Sequence, residues 1–109
     1  MIKNNNIDIL MATYNGEKYL AKQLDSIINQ SYKNWNLMIR DDNSNDRTLQ
    51  ILEKYEKMDK RIRVLHDNKR NLGIVKNFEE LLKNSTSEFI MFSDQDDIWL
   101  ENKLEVYLK

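Results

Sequence analysis

Short apolar runs alternate with amphipathic stretches along this chain. Ile7 to Ala12 is mostly apolar, starts on a β-branched residue, carries a single charge at Asp8, and reads as a strand. Glu17 to Gln30 follows, with Leu20, Leu24, Ile27 and Ile28 recurring at helical spacing. Trp35 to Ile39 reads as a second strand. Asp46 stands where an N-cap belongs for the next helix, whose apolar positions Leu49, Leu52 and Tyr55 again repeat at helical spacing. Ile62 to Leu65 is a brief third strand, Asn71-Leu72-Gly73 a turn, and Ile74 to Leu82 a helix with Val75, Phe78, Leu81 and Leu82 turned inward. Phe89 to Phe92 is a fourth strand, and a last helix is expected from Ile98 onward, with Leu100, Lys103, Leu104 and Leu108 on neighbouring faces. This rhythm is the βαβ pattern, which predicts an α/β fold: a mostly parallel sheet flanked by helices, with right-handed crossovers.

Between these elements, polar clusters fall at the carboxyl ends of three strands. They are Thr13-Tyr14-Asn15-Gly16, Arg40-Asp41-Asp42-Asn43-Ser44-Asn45-Asp46 and Ser93-Asp94-Gln95-Asp96-Asp97. In an open α/β sheet that edge is where ligands bind. The last cluster sets three carboxylates within four residues. Like charges that close repel one another unless a cation or hydrogen-bond donors gather them.

Composition narrows the picture. The 109 residues amount to one domain at most. The final helix would leave the sheet with an unfinished edge, so residues 1–109 are expected to be the first half of a larger domain. With a formal net charge of −1, general electrostatics argue neither for nor against a nucleic-acid or membrane partner. Cysteine is absent, which removes disulfides and thiolate metal sites and fits a reducing compartment. The single histidine, His66, rules out a His-rich metal site and is expected near a strand end. Met1 to Asn6 lacks the apolar core of a signal peptide, and no apolar run approaches the roughly 20 residues that span a bilayer. With no proline and two glycines, the turns rely on Asn, Asp and Ser.

The clusters suggest specific chemistry. Asp94 and Asp96, two residues apart after a strand, can approach one hard cation from a turn and leave room for phosphate oxygens and water, which suits Mg²⁺ or Mn²⁺. Asp97 reads as an N-cap or first-turn carboxylate, and Trp99 as core. A carboxylate at Asp42 can accept the ring N–H of a pyrimidine, while Ser44 and Asp46 read as turn and helix-cap residues. Tyr14 can pack on a flat base, and Glu17 either contacts the ligand or is a favourable charge at a helix start. Thr13 to Glu17 is neither a Gly-x-Gly-x-x-Gly fingerprint nor a Walker loop, which argues against a dinucleotide site and a P-loop NTPase.

Taken together, five segments resemble the nucleotide half of a family 2 glycosyltransferase with the GT-A (Rossmann-like) fold. They are Ala12 to Leu20, Leu24 to Tyr32, Arg40 to Thr48, Asn71 to Gly73, and Phe92 to Trp99, in the family's order and spacing over essentially the whole chain. The resemblance implies that Thr13 and Tyr14 lie beside the nucleoside and that Asp42 binds the pyrimidine. It implies that Asp94 and Asp96 form a DxD motif, with Asp96 the main ligand of Mn²⁺ or Mg²⁺ and Asp94 nearer the ribose and donor sugar. Asn71, Gly73, Lys76 and Asn77 fall where the family's loop approaches the nucleotide, with Arg70 beside them. The Asp-Gln-Asp-Asp-Ile-Trp variant, together with Lys76 to Glu79, is similar to the bacterial branch that includes rhamnosyltransferases. That implies a UDP- or dTDP-sugar donor and a saccharide or lipid-linked saccharide acceptor. It also implies surface-polysaccharide synthesis in the cytoplasm at the inner membrane face, through regions outside these residues. The acceptor site and the catalytic base of inverting transfer are expected in the missing half.

Two other readings share parts of this pattern. A nucleotidyltransferase also uses an acidic metal site, but it opens with a glycine-rich basic loop that Thr13 to Glu17 does not supply. A receiver-like domain with an acidic pocket places its acidic pair near the first strand, where this chain has only Asp8.

Overall fold

The computed structural model describes residues 6–94 and 98–108. Among the described residues, four strands, β1 (Ile7–Thr13), β2 (Trp35–Asp41), β3 (Ile62–Val64) and β4 (Phe89–Asp94), alternate with four helices, α1 (Glu17–Ile28), α2 (Thr48–Met58), α3 (Ile74–Asn84) and α4 (Lys103–Tyr107). All strand pairings are parallel, in the order β3-β2-β1-β4. β1 is therefore central and buried along its whole length, which is why it reads as a continuous apolar run. Alternate side chains serve opposite faces. Ile7, Ile9 and Met11 pack with Leu20, Leu24, Ile27, Leu52, Trp99 and Leu104 on one side, while Leu10 and Ala12 meet Leu81 of α3 on the other. The charge at Asp8 is accommodated by donors. Its carboxylate accepts from Ser85 Oγ at 2.7 Å, the Ser87 N–H at 3.3 Å and Asn6 Nδ2 at 3.2 Å.

Several boundaries differ from the sequence reading. β2 and β4 run on into their polar clusters, because parallel pairing with β1 carries the backbone to Thr13↔Asp41 and Ala12↔Asp94. β3 stops at Val64, and His66 lies just beyond it, exposed. α1 ends at Ile28, and Gln30 leaves the helix to hold the last segment: its side chain donates to Leu100 O at 2.6 Å and accepts the Leu104 N–H at 3.0 Å. With the Trp99 N–H given to Ser26 Oγ at 3.0 Å and Glu101 O taken by the Ser31 N–H at 2.7 Å, residues 98–102 are tied to α1, and the last helix begins only at Lys103. Leu100 is exposed, whereas Trp99 and Leu104 are core. Asp97, expected to open that helix, lies outside the described residues.

Two other helices also present different faces. Leu49 of α2 is exposed while Leu52 and Tyr55 are buried. In α3 the buried residues are Asn77 and Leu81, one helical turn apart, with Phe78 half-buried. Val75 and Leu82, expected inward, are exposed. Val75 sits about 200° around the helix from Asn77, so burying Asn77 turns Val75 to solvent.

Candidate functional site

The strand order reverses direction at β1, between β2 and β4, and a crevice opens there at the carboxyl ends of the strands, the switch point where α/β sheets take ligands. It is a cavity of about 800 Å³. Thr13 and Tyr14 reach it from the end of β1, Asp42 from just past β2, and Asp94 from the end of β4. The loop residues Asn71 and Gly73 and the first turns of α3, including Asn77, close the remaining side.

Two turns at its rim are zipped together. The Thr13 hydroxyl donates to Asp41 Oδ1 at 2.8 Å, and the other oxygen of Asp41 accepts the Ser44 N–H at 2.9 Å. Ser44 Oγ accepts the Asn15 N–H at 2.8 Å, and Asn15 Oδ1 accepts the Asn45 N–H at 2.8 Å. Asn15 and Asn43 turn the chain at φ of 49° and 67°, a region asparagine tolerates better than most residues. Below them, Thr48 Oγ1 accepts the buried Gly16 N–H at 2.8 Å and donates to Asp46 Oδ1 at 2.5 Å. The helix cap position falls at Arg47 rather than Asp46, but the Asp46 carboxylate still does capping work: it accepts the N–H groups of Thr48 at 2.9 Å and Glu17 at 3.2 Å. Desolvation opposes its charge, yet the hydrogen bonds from Thr48 and Glu17 prevail and hold the carboxyl below the usual range.

Asp42 is buried, 5% exposed, and already in use. Oδ1 accepts the Leu72 N–H at 2.9 Å, Oδ2 accepts the Gly73 N–H at 3.0 Å, and Arg40 Nη1 stands 3.5 Å from Oδ1. A carboxylate has about four acceptor positions, so Asp42 keeps capacity for one more donor from the cavity. Its first effect is to fasten the Asn71–Gly73 loop, a role that residue type alone did not reveal. Gly73 makes that loop possible with φ 86° and ψ 166°, backbone space that side-chain-bearing residues rarely enter. Behind β4, Gln23 donates from Nε2 to Ser93 Oγ at 2.7 Å and to the Asp94 carbonyl, fixing the strand end that presents Asp94.

The sequence-predicted residues are therefore only partly gathered. Thr13, Tyr14, Asp42, Asn71, Gly73 and Asp94 line the cavity, together with Asn77. Glu17 and Lys76 do not: both side chains are exposed at the starts of α1 and α3. Arg70 lines a separate shallow pocket with His66. Asp96 lies outside the described residues, among which no group of three or more metal-ligating side chains occurs. Asp94 supplies a hard oxygen donor at the cavity edge, and Mg²⁺ or Mn²⁺ needs only one or two carboxylates when phosphate oxygens and water complete its shell. Sequence reasoning missed Arg40 and Asp67 behind Asp42. The available signal was an arginine set directly after the apolar run ending at Ile39, in a strand with no room to solvate it.

Known proteins agree with this architecture. The dTDP-rhamnosyl transferase RfbG of Shigella flexneri is 41% identical over 99 residues, covering 87% of this chain and 34% of that protein. The UDP-Glc:alpha-D-GlcNAc-diphosphoundecaprenol beta-1,3-glucosyltransferase WfgD of Escherichia coli is 37% identical over 103 residues, covering 94% of this chain and 39% of that protein. The chain thus spans well under half the length of these relatives. The crystal structure of S. aureus TarS in complex with UDP-GlcNAc superposes with a TM-score of 0.85 at 30% identity, over 94% of this chain and 30% of that one. The profile of Glycosyl transferase family 2 matches residues 8–109, and with that match the parallel sheet and its switch-point cavity are those of a GT-A domain: the chain belongs to glycosyl transferase family 2.

Proposed function

We propose that residues 1–109 form the N-terminal, donor-binding half of a glycosyltransferase. Such an enzyme moves a sugar from a UDP- or dTDP-sugar to an acceptor hydroxyl. The observation that carries the reading is one cavity lined by both Asp42 and Asp94. Asp42, held by two backbone N–H groups, keeps an acceptor position for the ring N–H of uracil or thymine. Tyr14, half-exposed at the rim, offers a flat face to the base. Asp94, with Asp96 beyond it, would hold Mn²⁺ or Mg²⁺ against the diphosphate. When bound, that cation neutralises charge on the departing nucleoside diphosphate.

In the inverting transfer, the acceptor oxygen bonds to the anomeric carbon as the bond to the β-phosphate oxygen breaks. The acceptor proton passes to a base, for which none of these residues is a candidate. The names of RfbG and WfgD support a dTDP- or UDP-sugar donor and an acceptor that is a saccharide or lipid-linked saccharide. The role we assign with that donor and acceptor is in bacterial surface polysaccharide, made at the cytoplasmic face of the membrane. No described helix is long and apolar enough to cross a membrane. Nucleic acid has no part in this reading.

Calorimetric titration of UDP and dTDP, each with and without Mn²⁺, tests the proposal on this chain and on Asp96→Ala. Metal-dependent binding that the substitution removes is expected. Metal-dependent affinity unchanged in Asp96→Ala would overturn the cation assignment, and no binding by the folded chain would overturn the donor site within these residues.

A further inference from the structure

Arg40 lies on β2 behind the cavity wall, 1% exposed, and every one of its five N–H groups has an acceptor. Nε and Nη2 form a two-pronged pair with the Asp67 carboxylate, both at 2.9 Å. Nη2 also reaches the Lys69 carbonyl at 2.9 Å, and Nη1 is shared between Asn77 Oδ1 at 2.9 Å and Asp42 Oδ1 at 3.5 Å. Asn77 answers by donating from Nδ2 to the Arg40 carbonyl at 3.1 Å. One guanidinium therefore joins β2, the loop after β3 and α3. The loop is anchored at its start by Asp67 and Lys69 and at its end by Asp42, through the N–H groups of Leu72 and Gly73.

The division of partners matters. Two carboxylates face one cation, and the cation gives its short, paired contacts to Asp67. A planar guanidinium grips a carboxylate best with two parallel bonds. Had that grip gone to Asp42, its oxygens would turn toward Arg40 and away from the loop and the cavity. Asp67 does not line the cavity, and its side chain, 26% exposed, faces partly outward.

We infer that Arg40 and Asp67 are positioning residues for the donor site: Asp67 engages Arg40 so that Asp42 stays free to hold the Leu72–Gly73 turn and to meet the base. The functional half of this inference rests on the donor-site reading above.

The test is Asp67→Asn, a change at the outer end of the network, with Asp67→Glu as the conservative variant and Arg40→Lys as a second probe. The measurements are UDP affinity with Mn²⁺, amide hydrogen exchange and thermal unfolding. In Asp67→Asn, Arg40 is expected to shift its paired contacts to Asp42. UDP should then bind about tenfold more weakly, and the Leu72 and Gly73 amides should exchange faster while those of Ile9 and Leu37 do not. Asp67→Glu should restore most of the affinity. Arg40→Lys keeps the charge but loses the fork that holds Asp67 and the Lys69 carbonyl, so it should loosen the loop from its first anchor and also speed exchange at Leu72 and Gly73. Unchanged exchange at Leu72 and Gly73 in folded Asp67→Asn overturns the inference whatever the nucleotide result. A drop in affinity with exchange accelerated throughout the chain also overturns it, since that marks general destabilisation. If the unsubstituted chain does not bind UDP, the donor-site reading fails and the functional half of the inference falls with it, a result separable from the other two.

Discussion

Replacing Gly73 with alanine isolates the cost of one backbone conformation. Gly73 sits at φ 86° and ψ 166°, its N–H is given to Asp42 at 3.0 Å, and its carbonyl accepts the Asn77 N–H at 2.9 Å in the first turn of α3. A Cβ built there meets no atom within 4 Å, so Gly73→Ala creates no clash. What remains is the penalty for holding an L-residue in this region, about 1–3 kcal/mol. Against it stands the smaller entropy of the unfolded alanine chain, which returns about 0.4–1 kcal/mol. Taking the middle of each range, the net expectation is a loss of about 1.3 kcal/mol. Urea denaturation followed by circular dichroism reads this as a lower midpoint at unchanged slope. The chain can relieve the strain only by rotating the Gly73 N–H away from Asp42, so UDP affinity should fall with the midpoint. A midpoint within about 0.5 kcal/mol of the parent, with UDP affinity intact, would refute the reasoning, because the loop would not need the glycine conformation at all.

Two further outcomes follow from named contacts. The Arg40 guanidinium, acting first through its hydrogen bonds, holds the Asp67 carboxyl at about 2 against an ordinary value near 3.8. A carboxyl depressed on folding contributes its stability above the unfolded pKa and loses it as pH falls toward the folded one. The stability gap between the parent and Asp67→Asn should therefore be constant above about pH 5, amount to about 1–2 kcal/mol once solvent screening is allowed for, and close between about pH 4 and pH 2. A gap as wide at pH 2 as at pH 6, measured by urea midpoints, would show that the charge on Asp67 is not its source. Thr48→Val removes the hydroxyl that accepts the buried Gly16 N–H at 2.8 Å while keeping the side chain's shape. It should lower stability by about 1–3 kcal/mol, and a loss under about 0.5 kcal/mol would mean that water replaces the hydroxyl.

The elements were legible in the sequence where burial is complete or follows a regular period. β1, covered on both faces, announces itself as an apolar run, and the Leu20, Leu24 and Ile27 stripe of α1 needs only helical spacing to be found. The cavity wall was legible for a different reason. Thr13 and Asp94 each end a parallel strand and Asp42 directly follows one, and that edge of such a sheet gathers them whatever their chemistry. Strand ends were less visible, since Arg40, Asp41, Ser93 and Asp94 are polar, and only register with β1 keeps them extended. The start of α4 was hidden because Gln30, 70 residues earlier than Leu100, takes the carbonyl that a helix would have used.

The face of α3 shows the same limit most sharply. By hydropathy Val75 belongs inside and Asn77 outside, and the structure reverses them. The reversal follows from Arg40. A guanidinium 1% exposed must have an acceptor for each N–H or lose far more than one buried valine returns. Asn77 meets that demand twice, accepting from Nη1 and donating to the Arg40 carbonyl, and α3 turns to bring it there. The partners lie 27 and 37 positions from Arg40. No periodicity within one segment carries that information, so the residues that set the shape of the cavity wall could be found only once the strands had been placed side by side.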